Sequence, residues 1–292
     1  MFRGTYTAIV TPFRDGALDE TAFTQLVEWQ VESGISGIVA VGTTGESPTL
    51  DHEEHTRVIE LTVQTARGRC KVIGGTGSNS TAEAISLTRE AESVGADALL
   101  HVAPYYNKPT QEGLFRHFKA IAASTRLPII LYSIPGRCVI EIGVETVARL
   151  ARECPNIVSI KESGGSVDRV SQLRAALPPE FTILSGDDSL TLAFMAVGAE
   201  GVISTSSNII PREMVRMVQA FAESRVAEAR ELHARYYPLF RDLFIEANPG
   251  PIKNALSLAG RINADIRLPL CEMTPANAAK LLVTLRNLNL VK

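Results

Sequence analysis

The chain has 292 residues, 45% of them hydrophobic and 21% charged, with a formal net charge of −3 and a pI near 6.0. These values are ordinary for a folded globular protein and exclude a disordered chain, while the well-mixed signs exclude the basic face of a nucleic-acid binder and point to a small-molecule substrate. The opening MFRGTYTAIVTPF holds no apolar stretch long enough for a signal peptide or a membrane span, so a cytoplasmic location is expected.

The first short apolar run is AIV (8–10). TAFTQLVEWQVESG follows, setting Phe23, Leu26, Val27, Trp29 and Gln30 along a helical stripe that stops at Gly34, a favoured residue just past a helix end. The second run, GIVAV (37–41), leads into GTTGES (42–47), where glycines free backbone N–H groups beside Thr43 and Thr44 and form a nest of carboxylate size. His52, Glu53, Glu54 and His55 have the look of a metal motif. Their histidines are three apart, not the four of the zincin pattern, and Asp51 as N-cap with Glu54 at the third helical position explains the segment.

KVIGG (71–75) runs into a second glycine loop, GGTGSNS (74–80), and a helix ending at Gly95 precedes DALLHVA (97–103). PIILYS (128–133) brings Tyr132 to a strand end, where a phenol either shuttles protons or packs with its hydroxyl satisfied locally. Pro135-Gly136 marks a turn, so Arg137 is expected on a loop, either gripping a carboxylate or solvated. IVSIK (157–161) ends on Lys161, and FTILS (181–185) leads to GDDSLT (186–191), too acidic to cradle a phosphate. After a helix ending at Gly198, GVIST (201–205) is the last run. From about Pro211 only helical patterns remain.

Continuous apolar runs mark strands buried on both faces, as in a parallel sheet. Eight of them alternating with helices favour closure into a (β/α)8 TIM barrel over an open doubly wound sheet. The expected organisation is a barrel over residues 1–225 with a C-terminal helical extension over 226–292. Cys70, Cys138, Cys154 and Cys271 are far apart and are expected to be reduced packing residues.

Barrel active sites form at the C-terminal strand ends. Alternation puts Lys161 on the face opposite Ile160 and Glu162, so if Glu162 faces the helices, Lys161 faces the barrel. A lysine amine attacks a carbonyl only when neutral, and withdrawal from water disfavours its charged form. The resulting imine acidifies the adjacent carbon and lets an enamine attack a second carbonyl, with no metal or organic cofactor required.

GTTGESPTLDHEEH, GTGSNSTAEA, PYYNKPTQEGLFRHF, the Y-x-x-P-x-R of YSIPGR, the K-E of IKES, and LSGDD together resemble the dihydrodipicolinate synthase family of the N-acetylneuraminate lyase superfamily, in matching order and spacing through about residue 270. The resemblance implies a carbon-oxygen lyase that joins pyruvate to L-aspartate-4-semialdehyde in lysine (diaminopimelate) biosynthesis. Lys161 would form the pyruvate imine, and Tyr132, Thr43 and Tyr106 would form a proton-relay triad. Tyr106 would come from a neighbouring subunit of a homo-oligomer, a dimer or a tetramer of dimers. Thr44 would hold the pyruvate carboxylate, Arg137 would meet the carboxylate of the aldehyde, and Gly186 and Ile203 would line the pocket. The same resemblance implies a second site for L-lysine as feedback inhibitor, formed by Ser47, His52, His55, Asn79, Glu83 and Tyr105. The chain departs from the family pattern at Ser133-Ile134, where Asn-Val is common, at Cys138, where Thr is usual, and at Pro48, where a small residue is common. Another class I pyruvate aldolase of the superfamily and a non-catalytic amino-acid sensor are the alternative readings.

Overall fold

The computed structural model describes residues 2–292. Its strands are β1 (Gly4–Ala8), a small antiparallel hairpin of β2 (Phe13–Arg14) and β3 (Ala17–Leu18), then β4 (Gly37–Ala40), β5 (Lys71–Gly75), β6 (Ala98–Val102), β7 (Ile129–Ser133), β8 (Ile157–Glu162), β9 (Thr182–Ser185) and β10 (Gly201–Ser204). All but the hairpin are parallel and close in the order β1-β10-β9-β8-β7-β6-β5-β4. The helices are α1 (Glu20–Glu32), α2 (His52–Ala66), α3 (Thr81–Ser93), α4 (Gln111–Ala122), the single turn α5 (Pro135–Cys138), α6 (Val144–Glu153), α7 (Val167–Ala176), α8 (Thr191–Ala196), α9 (Pro211–Ala222), α10 (Val226–Asp242), α11 (Gly250–Leu258) and α12 (Pro275–Asn287). The fold is therefore a (β/α)8 barrel with further helices after the eighth unit.

Two apolar layers follow from strand alternation. Ile129, Leu131, Ile160 and Ile183 pack outward against the helices, while Ile130, Tyr132, Leu184 and Ile203 fill the barrel interior with Tyr6 and Val39. Gly34, Gly95 and Gly198 each follow a helix with positive φ, as their places after the helical stripes require.

The first strand differs from expectation: it is Gly4–Ala8, not residues 8–10. Its Thr5 and Thr7 point away from Tyr6 and are satisfied on the helical side, Thr7 donating to Gln30 Oε1 at 2.7 Å, so the strand lacks the continuous apolar signature of its neighbours. Ile9 and Val10 are buried in the connection that follows. The cysteines also divide. All four are free, but only Cys138 and Cys154 are buried; Cys70 is half-buried and Cys271 exposed, so they are not uniformly packing residues. Among the described residues no helix is long and apolar enough to cross a membrane.

Candidate active site

Lys161 and Tyr132 are ladder partners in β8 and β7. Partners in adjacent parallel strands share a face, so both side chains enter the barrel, and Lys161 Nζ lies 4.1 Å from the Tyr132 ring centroid. Lys161 is buried at 7% exposure. Glu162 faces the helices, its carboxylate 2.9 Å from Arg169 Nε and accepting the Gly164 N–H at 2.7 Å. Burial pushes the Glu162 carboxyl up, outweighing the opposing charge of Arg169. A Cβ on Gly186 would overlap Ser163 Oγ and stand 2.8 Å from Lys161 Cε, so the glycine leaves the lysine its space. Ile203 is buried in the interior layer.

The 42–47 loop and the residues that follow it form two 3-10 turns, Thr43–Gly45 and Ser47–Thr49. The amides of Gly45, Glu46 and Ser47 are spent on the carbonyls of Gly42 and Thr43, whereas those of Thr43 and Thr44 have no acceptor among the described residues. The expected nest thus reduces to two amides plus the threonine hydroxyls. Glu46, left-handed at φ 57, turns its buried carboxylate to Lys253 and to the Arg267 N–H at 3.2 Å. Lys253 also donates to the Thr11 carbonyl at 2.9 Å. Desolvation pulls the Lys253 ammonium below its ordinary range despite that carboxylate.

Arg137 lies in α5, not on an open loop: Pro135 starts a helical turn that ends at left-handed Val139. Its Nη2 donates to the Asn248 carbonyl at 3.1 Å. Of the departures from the family pattern, Ser133 is buried on the helical side, its Oγ accepting the Ile142 N–H at 3.4 Å, while Cys138 and Pro48 line the cavity described next. Burial lifts the Cys138 thiol to about 11, so it is a packing group there.

A cavity of about 440 Å³ opens beside these residues. Thr43, Tyr132 and Arg137 line it together with Ser47, His52, His55, Glu83 and Tyr105, so the candidate catalytic and regulatory residues share one continuous space. Lys161, Thr44, Gly186, Ile203 and Asn79 are not on its wall. Asn79 instead donates to the Tyr105 carbonyl at 3.1 Å. Glu83 is held by Ser78 Oγ and by His52 Nε2 at 3.3 Å; the Ser78 hydrogen bond, ahead of His52, keeps its carboxyl below the ordinary range. His55 Nε2 is 2.9 Å from the Gly75 carbonyl, and burial lowers its pKa. Asp51 caps α2 with the reciprocal Glu54 contact, which accounts for the His52–His55 pattern.

Tyr106 is not brought to this cavity. It stands 89% exposed, on a backbone with φ 72. Asn248, Glu46 and Lys253, which tie the chain's last third to the Thr44 loop, were not among the residues expected in the site. The one available signal was Lys253 within PIKNAL, a cation among apolar residues, of which Pro251, Ile252, Ala255 and Leu256 are buried.

The Dihydrodipicolinate synthetase family model matches residues 1–288. A 4-hydroxy-tetrahydrodipicolinate synthase of Persephonella marina is 49% identical over 293 residues, spanning 100% of both chains. The solved structure of the 4-hydroxy-tetrahydrodipicolinate synthase from Methylacidiphilum fumariolicum SolV is 57% identical with a TM-score of 0.98, covering 99% of this chain and 96% of that one. A dihydrodipicolinate synthase from Cyanidioschyzon merolae, solved with lysine bound, is 40% identical with a TM-score of 0.97 and covers 99% of each chain.

Proposed function

This chain belongs to the dihydrodipicolinate synthetase family, and we propose how its residues carry out that family's reaction, the condensation of pyruvate with L-aspartate-4-semialdehyde in lysine biosynthesis. The observation that carries the assignment is a buried lysine at a barrel strand end, its Nζ 4.1 Å from the ring of its ladder partner Tyr132. Lys161 Nζ attacks the pyruvate keto carbon and one water leaves, giving an imine. Loss of a C3 proton makes the enamine, whose C3 bonds to the aldehyde carbon. The amine of that second substrate then displaces Lys161 at the imine carbon, closing the ring of 4-hydroxy-tetrahydrodipicolinate. One water is released overall, and no redox partner enters.

Tyr132 and Thr43, both on the cavity wall, are the proton relay of this reading. Its third member is Tyr106 of a neighbouring copy in a homo-oligomer. The 89% exposure of that ring supports such a role, since a phenol so exposed is free to enter a second chain. Thr44 takes the pyruvate carboxylate, with its unspent amide in support, and Arg137 takes the aldehyde's carboxylate. L-Lysine occupies the other end of the cavity: the Glu83 carboxylate suits an ε-ammonium and Tyr105 suits an α-carboxylate, with Asn79 behind the wall holding the Tyr105 carbonyl.

Borohydride reduction in the presence of pyruvate tests the chemistry. A stable pyruvate adduct on Lys161, located by peptide mass mapping, together with loss of activity, is the expected result; an adduct on another lysine, or none, overturns it. Lys161→Arg should give no adduct, because a guanidinium stays protonated.

A further inference from the structure

Asn248 lies between α10 and α11, yet it touches two loops of the barrel mouth that follow different, non-adjacent strands. Its side-chain Nδ2 donates to Thr44 Oγ1 at 3.0 Å, after β4. Its backbone carbonyl accepts from Arg137 Nη2 at 3.1 Å, after β7. In the barrel order β5 and β6 stand between those two strands. Asn248 and Thr44 are both buried, and the segment is pinned again five residues on, where Lys253 meets Glu46 in the same loop as Thr44.

Asn248 turns Nδ2 to Thr44 Oγ1 and leaves its Oδ1 buried without a hydrogen-bond partner among the described residues, so the consequence for Thr44 follows from this orientation of the amide. A hydroxyl has one proton and two lone pairs. With Asn248 donating into one lone pair, the Thr44 proton is directed elsewhere, and it has no acceptor among the described residues. An accepted hydrogen bond also polarises the hydroxyl, strengthening it as a donor. A hydroxyl so arranged is a committed donor, the polarity that a carboxylate needs.

Resting on the assignment of Thr44 and Arg137 to the two substrate carboxylates, we propose that Asn248 is a positioning residue for both: its amide fixes the polarity of the Thr44 hydroxyl toward pyruvate, and its backbone carbonyl fixes the Arg137 guanidinium for the aldehyde. The two contacts use different atoms, one of which no side-chain substitution removes. Asn248→Ala should therefore affect pyruvate alone.

The test is steady-state kinetics in both substrates, with borohydride trapping titrated against pyruvate, on Thr44→Val, Asn248→Ala and the double variant. Thr44→Val and Asn248→Ala should each raise KM for pyruvate about tenfold, the scale of one hydrogen bond to a charged group. The double variant should be no worse than Thr44→Val, because the amide acts only through that hydroxyl. KM for the aldehyde in Asn248→Ala should stay within about twofold of wild type. A purely structural residue would instead move both KM values and kcat together. Asn248→Asp keeps the shape but accepts the Thr44 proton, so it should raise KM for pyruvate at least as far; it carries the test if Asn248→Ala does not fold. Normal pyruvate KM in Asn248→Ala or Asn248→Asp beside a raised value in Thr44→Val overturns the proposal, as do losses that multiply in the double variant. An unchanged pyruvate KM in Thr44→Val itself overturns the Thr44 assignment, and the proposal with it.

Discussion

Glu162 and Arg169 are paired at 2.9 Å between β8 and α7, and that pairing commits the strand to a register in which Lys161 faces the barrel interior. Both groups are buried, and Arg169 also donates to the Ile142 carbonyl at 2.6 Å. Arg169→Met leaves a buried carboxylate without its cation, and should destabilise the fold by about 3–5 kcal/mol. Urea denaturation reads this directly. The deficit should be smaller at pH 5 than at pH 8, because burial already raises the Glu162 carboxyl and a protonated Glu162 needs no cation. An equal deficit at both values would show that lost packing, not the charge, is responsible.

Gly186→Ala should separate activity from stability. The new methyl would overlap Ser163 Oγ and press on Lys161 Cε, 2.8 Å away. Displacing a nucleophile by about 1 Å costs on the order of 100-fold in rate. We expect kcat to fall by that amount with a smaller relative change in KM, and Ser163→Gly in the same chain to restore part of it. A Gly186→Ala protein with wild-type kcat would mean that Lys161 tolerates the methyl.

L-Lysine should inhibit condensation without competing with pyruvate for Lys161, and Glu83→Ala should sharply weaken that inhibition while leaving borohydride trapping intact. Glu83 meets His52 at 3.3 Å and lines the same cavity as Tyr132, so coupling has a short physical path. Removing a charge-assisted contact weakens binding by about 1.5–3 kcal/mol, or roughly 10- to 150-fold. Inhibition of equal potency in the variant would place lysine elsewhere.

Acid should destabilise this protein before its carboxylates titrate. His101 is fully buried beside Thr76, 3.1 Å from its hydroxyl, and burial pulls its pKa down to about 3. His117, against Thr81 at 2.9 Å, is pulled to about 4 by the same cause. Both rings are neutral in the fold, whereas the unfolded chain charges them below about pH 6.5. Stability is therefore complete above that pH and is lost as pH falls toward 4 and then 3. Each ring adds up to about 1.4 kcal/mol per pH unit. Urea unfolding between pH 7.5 and 4.5 should show this slope, and His101→Gln should reduce it; an unchanged slope in that variant would clear His101.

By itself the sequence determined the barrel's repeat. Parallel strands covered on both faces are written as continuous apolar runs, and Lys71–Gly75 and Ile129–Ser133 stand within a residue of where those runs lie. It also determined that Lys161 and Tyr132 stand at the C-terminal ends of their strands, each one residue before the last, because alternation and strand ends are local properties. β1 escaped because its outward threonines are satisfied by partners such as Gln30, more than 20 residues on. The tertiary structure alone decided which polar groups meet across the mouth. Asn248 and Thr44 are 204 residues apart, and Lys253 and Glu46 207. Periodicity reports that a residue is buried; the acceptor it finds there depends on closing the barrel and docking the helices that follow it, which no local pattern of apolar and polar residues encodes.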